Sequence, residues 1–375
     1  MNAARRHGGG RIAGTLRETQ ATMHQLSIAL LYVAACGSPA ATPDSMVADG
    51  SGSAAIDALG DAPVAGVAPL GIVDQVTDVA CPTGAGGAPA GSSCKRVRVT
   101  GCAGIETEAV TALVAVLTPA TVTRTVVHLK GGGGEGFQIS DTAGYQANGF
   151  REVFVSWDAD WEQTASHGIK TAACRPATVI KWVFDEPTLH AQSRTNAFCA
   201  EGFSGGSGQI GYALADYGLA DYLDYVNELS GPPFTRLDLG CDGNAPPSAS
   251  VCGEDVTTKL PNSVTAWENL SAACGSTSLP AGELARLVAD SIATDGTYAY
   301  PRTRMEFFDC TNNASAVTSM SHLLFDQITQ AEGAGAQTAY HCYAQADGCM
   351  GEALGATGSS EASHAMVAGC TARHQ

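Results

Sequence analysis

The sequence predicts an α/β fold, a mostly parallel sheet flanked by helices, on three observations. Runs rich in β-branched and aromatic residues alternate with helical stretches from Val67 onward, the pattern of parallel strands joined by crossover helices. Apolar residues make up 45% of the 375 residues and charged residues only 15%, so the chain can bury a core and is not a charge-solvated disordered polymer. Two of the strand runs stop at clusters of glycine, where a chain turns sharply.

At the N-terminus, Arg5, Arg6, Arg11 and Arg17 precede the apolar run Leu26 to Ala35 (LSIALLYVAA). About ten apolar residues are too few to span a bilayer and suit a signal-peptide core, so residues 1–35 are assigned as a signal peptide. A start at Met23 would keep this core and lose the arginines. The run ends Val33-Ala34-Ala35-Cys36, which resembles the lipobox of bacterial lipoproteins and implies lipid attachment at Cys36. An ordinary secretory signal with a free Cys36 is the alternative. The chain has 13 cysteines, and setting Cys36 aside leaves an even number that can pair completely. No CxxC pair or Cys/His cluster of zinc type occurs, so disulfides in an oxidising compartment are expected, in keeping with export. Residues 36–66, rich in Ala, Gly, Ser, Pro and Asp without apolar periodicity, are expected to form the lipid attachment site and a flexible linker.

Within residues 67–375, strands are expected at Lys95 to Thr100 (KRVRVT), at Arg124 to Leu129 (RTVVHL), which runs into Gly131 to Gly134, and at Gly149 to Trp157 (GFREVFVSW). Pro176 to Phe184 has helical spacing with proline near its start. Asn196 to Glu201 reads as a short strand, Ile210 to Tyr217 as a helix and Tyr225 to Leu229 as a strand. A loop-rich stretch over about 235–300 contains Cys241, Cys252 and Cys274, with helices expected at Ser263 to Ala273 and Pro280 to Ile292. It is too long for a simple connection and is expected to be an inserted cap. The sheet resumes at Arg304 to Phe308, followed by a helix at Val317 to Gln330 and a strand at Thr338 to Ala344.

The segment FCAEGFSGGSGQIGYALADYG carries the chemistry. Gly202-Phe203-Ser204-Gly205-Gly206 fits G-x-S-x-G between a short apolar strand and a helix, where a sharp turn projects the serine hydroxyl from the sheet edge. Ser207 is the other serine of the segment, but GGSGQ lacks the closing glycine. With the upstream glycine run and an acid on a later strand, the chain resembles the α/β-hydrolase superfamily, of the serine esterase and lipase kind, over roughly Val67 to Gln375. The resemblance implies that Ser204 is the nucleophile. It implies further that N–H groups of Gly131, Gly132, Gly133 and Gly205 form an oxyanion hole. Family order is nucleophile, acid, histidine, which implies Asp309 in MEFFDCTNN as the acid, with Glu306 as the runner-up. The common glycine before the acid is missing. For the histidine, His364 in GSSEASHAMVAGC follows the last strand and opens an expected C-terminal helix. His322, His341 and His374 are less well placed. The place immediately after the last strand reads ADGCMGE and has no histidine.

The resemblance implies an exported serine hydrolase that cleaves a small-molecule carboxylic ester through an acyl-enzyme, touching the membrane only through its lipid anchor. The alternative is a non-catalytic surface lipoprotein that kept the fold for binding. The formal charge of −17, with no basic cluster to offset it, argues against nucleic acid as a partner. No metal and no organic cofactor is expected. Bridges Cys349–Cys370 and Cys241–Cys252 are two of many possible pairings. His128 is expected to be packed in the core. Trp157, Asp158, Asp160 and Trp161 are expected either to line a pocket or to form a solvated loop with packed indoles. Asp216, Asp221 and Asp224 are expected to form a solvated face.

Overall fold

The computed structural model describes residues 67–373 apart from 139, 165–166, 194, 243–263, 265–267, 269, 271–273, 275–278, 311–316, 345–348 and 350–353. The signal peptide, Cys36, the linker and most of the helix expected at Ser263 to Ala273 lie outside the described residues.

Among the described residues nine strands form one sheet: β1 (Ile72–Val79), β2 (Ser93–Thr100), β3 (Val110–Leu117), β4 (Arg124–Leu129), β5 (Phe150–Trp157), β6 (Ala197–Phe203), β7 (Tyr225–Leu229), β8 (Arg304–Cys310) and β9 (Thr338–Tyr343). Their order is β1-β2-β3-β5-β4-β6-β7-β8-β9. The pairs from β1 to β5 are antiparallel and the five from β5 through β4 to β9 are parallel, so the expected mostly parallel sheet is present. The described helices are α1 (Thr142–Ala147), α2 (Ile169–Ala172), α3 (Cys174–Asp185), α4 (Gly205–Ala215), α5 (Leu237–Asp242), α6 (Ala281–Asp290), α7 (Val317–Glu332) and α8 (Ala356–Gly369).

Both faces of the sheet are covered. Because side chains alternate along a strand, Val127 and Leu129 of β4, Ala200 of β6 and Phe307 of β8 pack on one face with Ile210 and Leu214 of α4 and Leu324 of α7. Their neighbours turn the other way: Val126, Cys199 and Tyr225 meet Tyr145 of α1 and Met366 of α8. Leu229 and Phe308 meet Ala362 of α8 on that same face. Double coverage explains why β7 is buried along its whole length.

The edge strand β1 and its neighbour-but-one β3 have no counterpart in the sequence expectations. β1 (IVDQVTDV) is exposed at six of its eight positions, so no apolar face marks it. The expected solvated face at Asp216, Asp221 and Asp224 holds for Asp221, which is exposed, and is corrected for the other two. Asp216 and Asp224 are buried, Asp216 pairing with Lys170 at 2.9 Å and Asp224 accepting the Phe198 N–H at 2.9 Å.

Disulfides join Cys81 to Cys94, Cys102 to Cys174, Cys199 to Cys370, Cys241 to Cys274 and Cys310 to Cys349, and Cys342 is disulfide-bonded as well. The expected pairs Cys349–Cys370 and Cys241–Cys252 are therefore wrong. Cys370 instead reaches back to β6, because α8 lies across that strand, while Cys349 lies near the end of β8. The Cys199–Cys370 bridge spans 171 residues and ties the C-terminal end of α8 to the strand that leads to Ser204. The double variant Cys199→Ser/Cys370→Ser is expected to lose about 2–5 kcal/mol of stability, as long bridges do, measured by denaturant unfolding against the parent protein.

Candidate active site

Ser204 stands between the end of β6 and the first residue of α4, with φ 51° and ψ −114°. Ser204 and Ser230 are the two non-glycine residues with positive φ among the described residues. Such backbone strain persists only where the surroundings impose it, and here they do so through glycines. A Cβ on Gly202 would lie 2.5 Å from the Gly206 carbonyl oxygen, and one on Gly206 would lie 2.1 Å from the Leu129 carbonyl oxygen. The two glycines of the motif are thus required by backbone contact between β4, β6 and α4.

The glycine run after β4 packs against this turn. A Cβ on Gly131 would meet the Ser204 Cβ at 3.0 Å, and one on Gly205 would lie 2.5 Å from the Gly132 carbonyl oxygen. Gly131, Gly132 and Gly205, expected together as oxyanion donors, are therefore gathered beside Ser204. Gly133 adjoins Asp160, with only 2.0 Å between its would-be Cβ and an Asp160 carboxylate oxygen. The run is anchored from behind: the Trp161 N–H donates to the Gly133 carbonyl at 3.1 Å and the Trp157 N–H to that of Gly134 at 3.0 Å. The Trp157 indole donates to Gln209 of α4 at 3.0 Å. Trp157 and Trp161 are buried while Asp158 is exposed, so the indoles brace the loop.

Asp309 lies inside β8, one residue before its end, and is fully buried. Its side chain shares a face with Phe307 and accepts the Ser321 hydroxyl of α7 at 2.5 Å. Burial pushes its carboxyl up to about 7, against the hydrogen bonds of Ser321, Tyr340 and the Gly231 N–H. Gly231 links it to the turn, since a Cβ there would lie 2.9 Å from the Ser204 carbonyl oxygen. Glu228 of β7, also buried, feels the Asp309 charge, and burial raises its carboxyl well above the usual range.

His364 is not at the opening of the C-terminal helix but in the body of α8, on its exposed side. α8 packs on the Phe308 and Cys310 face of β8, opposite to Asp309. The structure therefore places Ser204 with the glycine run and with the backbone near Asp309, and puts Asp309 and His364 on opposite faces of the sheet. His341 is in mid-strand as expected, 2.9 Å from Glu306 and stacked on Phe308. His322 pairs with Asp326 at 3.2 Å.

The chain is similar to the solved structure of acetyl xylan esterase 1 from Thermoanaerobacterium sp. JW/SL YS485, with a TM-score of 0.50 and 12% identity over 78% of this chain and 87% of that one. The fold is that of the α/β-hydrolases. Lesser likenesses include the acetyl ester-xyloside bifunctional hydrolase from Caldicellulosiruptor lactoaceticus, with a TM-score of 0.45 and 11% identity over 69% of this chain and 86% of that one. A Pyrobaculum calidifontis esterase follows, with a TM-score of 0.41 and 13% identity over 80% of this chain and 85% of that one. No family model and no curated protein matches the sequence.

This hydrolase-fold sheet also buries a polar cluster that the sequence reading missed. His128 of β4 is fully buried, as expected, but it is held between Glu201 of β6 at 3.2 Å and Glu152 of β5 at 3.6 Å. Burial opposes its charge, yet the two carboxylates outweigh that and raise the imidazole to about 9. For Glu201 burial is again opposed, here by His128, Ser140 and Tyr145, which hold its carboxyl below the usual range. The available signal was an acid inside an apolar strand, FCAEGF, since a buried charge demands a partner.

Two outcomes follow from this geometry. Gly206→Ala is expected to cost about 2 kcal/mol or more, because its methyl group meets the Leu129 carbonyl and a backbone must move; unfolding of the purified variant measures this. Asp309 has a folded carboxyl near 7 against about 3.9 unfolded, so the folded state binds its proton more tightly. The Asp309 contribution to stability is full below about pH 4 and is lost as pH rises through about 7, by an amount on the order of 4 kcal/mol. Asp309→Asn should flatten that fall, and unfolding curves at pH 4, 5.5, 7 and 8 would show it. Equal slopes in the two proteins would disprove it.

Proposed function

We propose that the protein is an exported serine hydrolase that cleaves a carboxylic ester through an acyl-enzyme, with Ser204 as nucleophile. The observation that carries this reading is the forced positive φ of Ser204 between β6 and α4, packed against Gly131. In this mechanism the Ser204 hydroxyl oxygen bonds to the ester carbonyl carbon as its proton passes to a base. The carbonyl becomes an oxyanion, stabilised by N–H groups of Gly131, Gly132, Gly133 and Gly205 at the start of α4. Collapse expels the alcohol, which takes the proton, and water then repeats the sequence on the acyl-serine.

His364 is proposed as the base and Asp309 as the group that orients it. With the two on opposite sheet faces, this assignment requires the imidazole to pass over the C-terminal sheet edge. That separation also favours a second reading, a binding protein that kept the fold without turnover. Export is supported by the disulfides, which persist in oxidising compartments. Cys36 is proposed to carry the lipid anchor. No helix among the described residues is long and apolar enough to cross a membrane.

A fluorophosphonate probe is expected to label the folded protein, and Ser204→Ala to abolish both labelling and ester hydrolysis, the latter by 10³-fold or more. An unlabelled but folded parent protein would leave the binding reading. If His364 is the base, His364→Ala should lower kcat by about 10³-fold or more; a loss under tenfold would remove it from the mechanism. Cys36→Ser should move the protein from the membrane to the soluble fraction, and unchanged partitioning would rule out the anchor.

A further inference from the structure

A cavity of about 300 Å³ lies on the α8 face of the sheet. Glu201 of β6 lines it with Ser140 and the serines Ser359, Ser360 and Ser363 of α8, together with Gln138. Among the described lining residues Leu229 is the one apolar side chain and none is cationic. We propose that this cavity binds a neutral, hydroxyl-rich group such as a polyol or a single sugar ring, and that it serves as the subsite for that part of the ester substrate.

The chemistry of the lining selects the ligand. An anion finds no cation to meet it, and the chain as a whole carries −17. An ammonium finds the buried Glu201 carboxylate already engaged on both oxygens. Glu201 accepts from Ser140 at 2.9 Å, from Tyr145 at 2.9 Å and from Asn227 at 3.4 Å, and the charged His128 lies against it at 3.2 Å. Asp141, which also lines the cavity, accepts the Gly144 N–H at 3.0 Å as the cap of α1. The rest of the polar lining is four serine hydroxyls and one amide, of which Ser140 donates to Glu201 and Ser359 to the Leu354 carbonyl at 3.4 Å. A serine that donates inward, as Ser140 does, keeps lone pairs for a ligand O–H, and the Gln138 amide can both donate and accept. The volume stands at the lower end of the roughly 300–1,000 Å³ of small-molecule sites, which suits one ring and not a chain of them.

The position ties the cavity to the candidate nucleophile. Glu201 precedes Ser204 by three residues, about 10 Å along an extended strand. Leu229, at the other wall, accepts the Ser204 N–H on its carbonyl at 2.8 Å. A group held here is therefore within the length of one substrate molecule from Ser204. The role as a substrate subsite rests on the ester-hydrolase reading; the binding itself does not.

Binding is tested in Ser204→Ala, which cannot turn substrate over, by saturation-transfer NMR with methyl glucoside, ethanolamine and acetate as separate probes. Methyl glucoside should give a signal and the two ions should not. Ser360→Trp, on the exposed first turns of α8, should weaken methyl glucoside binding at least tenfold, and the smaller change Gln138→Ala should weaken it about threefold. No methyl glucoside signal, a signal unchanged in both variants, or stronger ethanolamine binding would overturn the proposal. In the active protein Ser360→Trp should raise KM for a glycerol monoester at least tenfold more than it raises KM for p-nitrophenyl acetate. Methyl glucoside binding without fluorophosphonate labelling would refute only the hydrolase reading and the subsite role, and would support the cavity as a binding site.

Discussion

The close approach of three backbone segments, β4, β6 and α4, is the constraint from which the rest of the candidate site follows. A helix that starts one residue after a strand ends must cross back over the sheet at once, and the neighbouring strand lies directly beneath. The Leu129 carbonyl of β4 leaves no room for a Cβ at Gly206, and Gly206 leaves none at Gly202. The residue between them has to absorb the change of direction, and Ser204 does so at φ 51°. The chain leaving β4 meets the same obstruction from the other side, so Gly131 and Gly132 fold against Ser204 and Gly205. One steric fact thus yields the position of the serine, the glycine motif and the glycine backbone packed beside it.

Within that frame the two sheet faces treat buried acids in opposite ways. On the α8 face Glu201 has a cation and hydroxyl donors around it, and its carboxylate is kept charged. On the α7 face Asp309 and Glu228 are neighbours with no cation between them, and burial drives both toward the neutral form. The difference is one of pairing, since the acids are equally buried. An acid that is only about half ionised near pH 7 orients an imidazolium fully only if that imidazolium comes close enough to pull its proton off. The electrostatics of Asp309 therefore depend on what reaches it over the sheet edge.

Legibility from sequence followed the range of the interactions involved. The Ser204 turn could be read because its constraint is local and writes itself as glycines two before and two after the serine. The parallel half of the sheet was readable for a similar reason: apolar runs such as RTVVHL and FREVFVSW are buried on both faces. β1 could not be read, because an edge strand half in solvent has no apolar periodicity, and its pairing with β2 is fixed by partners such as Arg98 and Asp74 at 2.6 Å. Asp216 and Asp224 looked like a solvated face because their partners, Lys170 and the Phe198 N–H, are distant in sequence. The acid and histidine suffered most. Their mutual position depends on which face of β8 Asp309 takes and on where α8 begins, and a one-residue change in either reverses the answer.

The disulfides show why α8, and not the strand order, decides what the C-terminal edge can do. Cys199–Cys370 fixes the far end of α8 to the start of β6, and Cys310–Cys349 fixes the end of β8 to the chain ahead of α8. Asn227 of β7 adds a third tie, donating to the Ala362 carbonyl at 2.8 Å. A helix held at its far end, its middle and its approach cannot roll, so Ser363 stays turned toward Glu201 and His364 stays turned outward. Rotating α8 to bring His364 inward would remove Ser363 from the polar cluster around Tyr145 and leave buried acceptors without donors, at a cost of about 1–3 kcal/mol for each group stranded. The same ties that keep the hydroxyl-lined cavity in shape therefore oppose the motion that a His364-based triad needs, which makes the cavity the more rigidly defined of the two features.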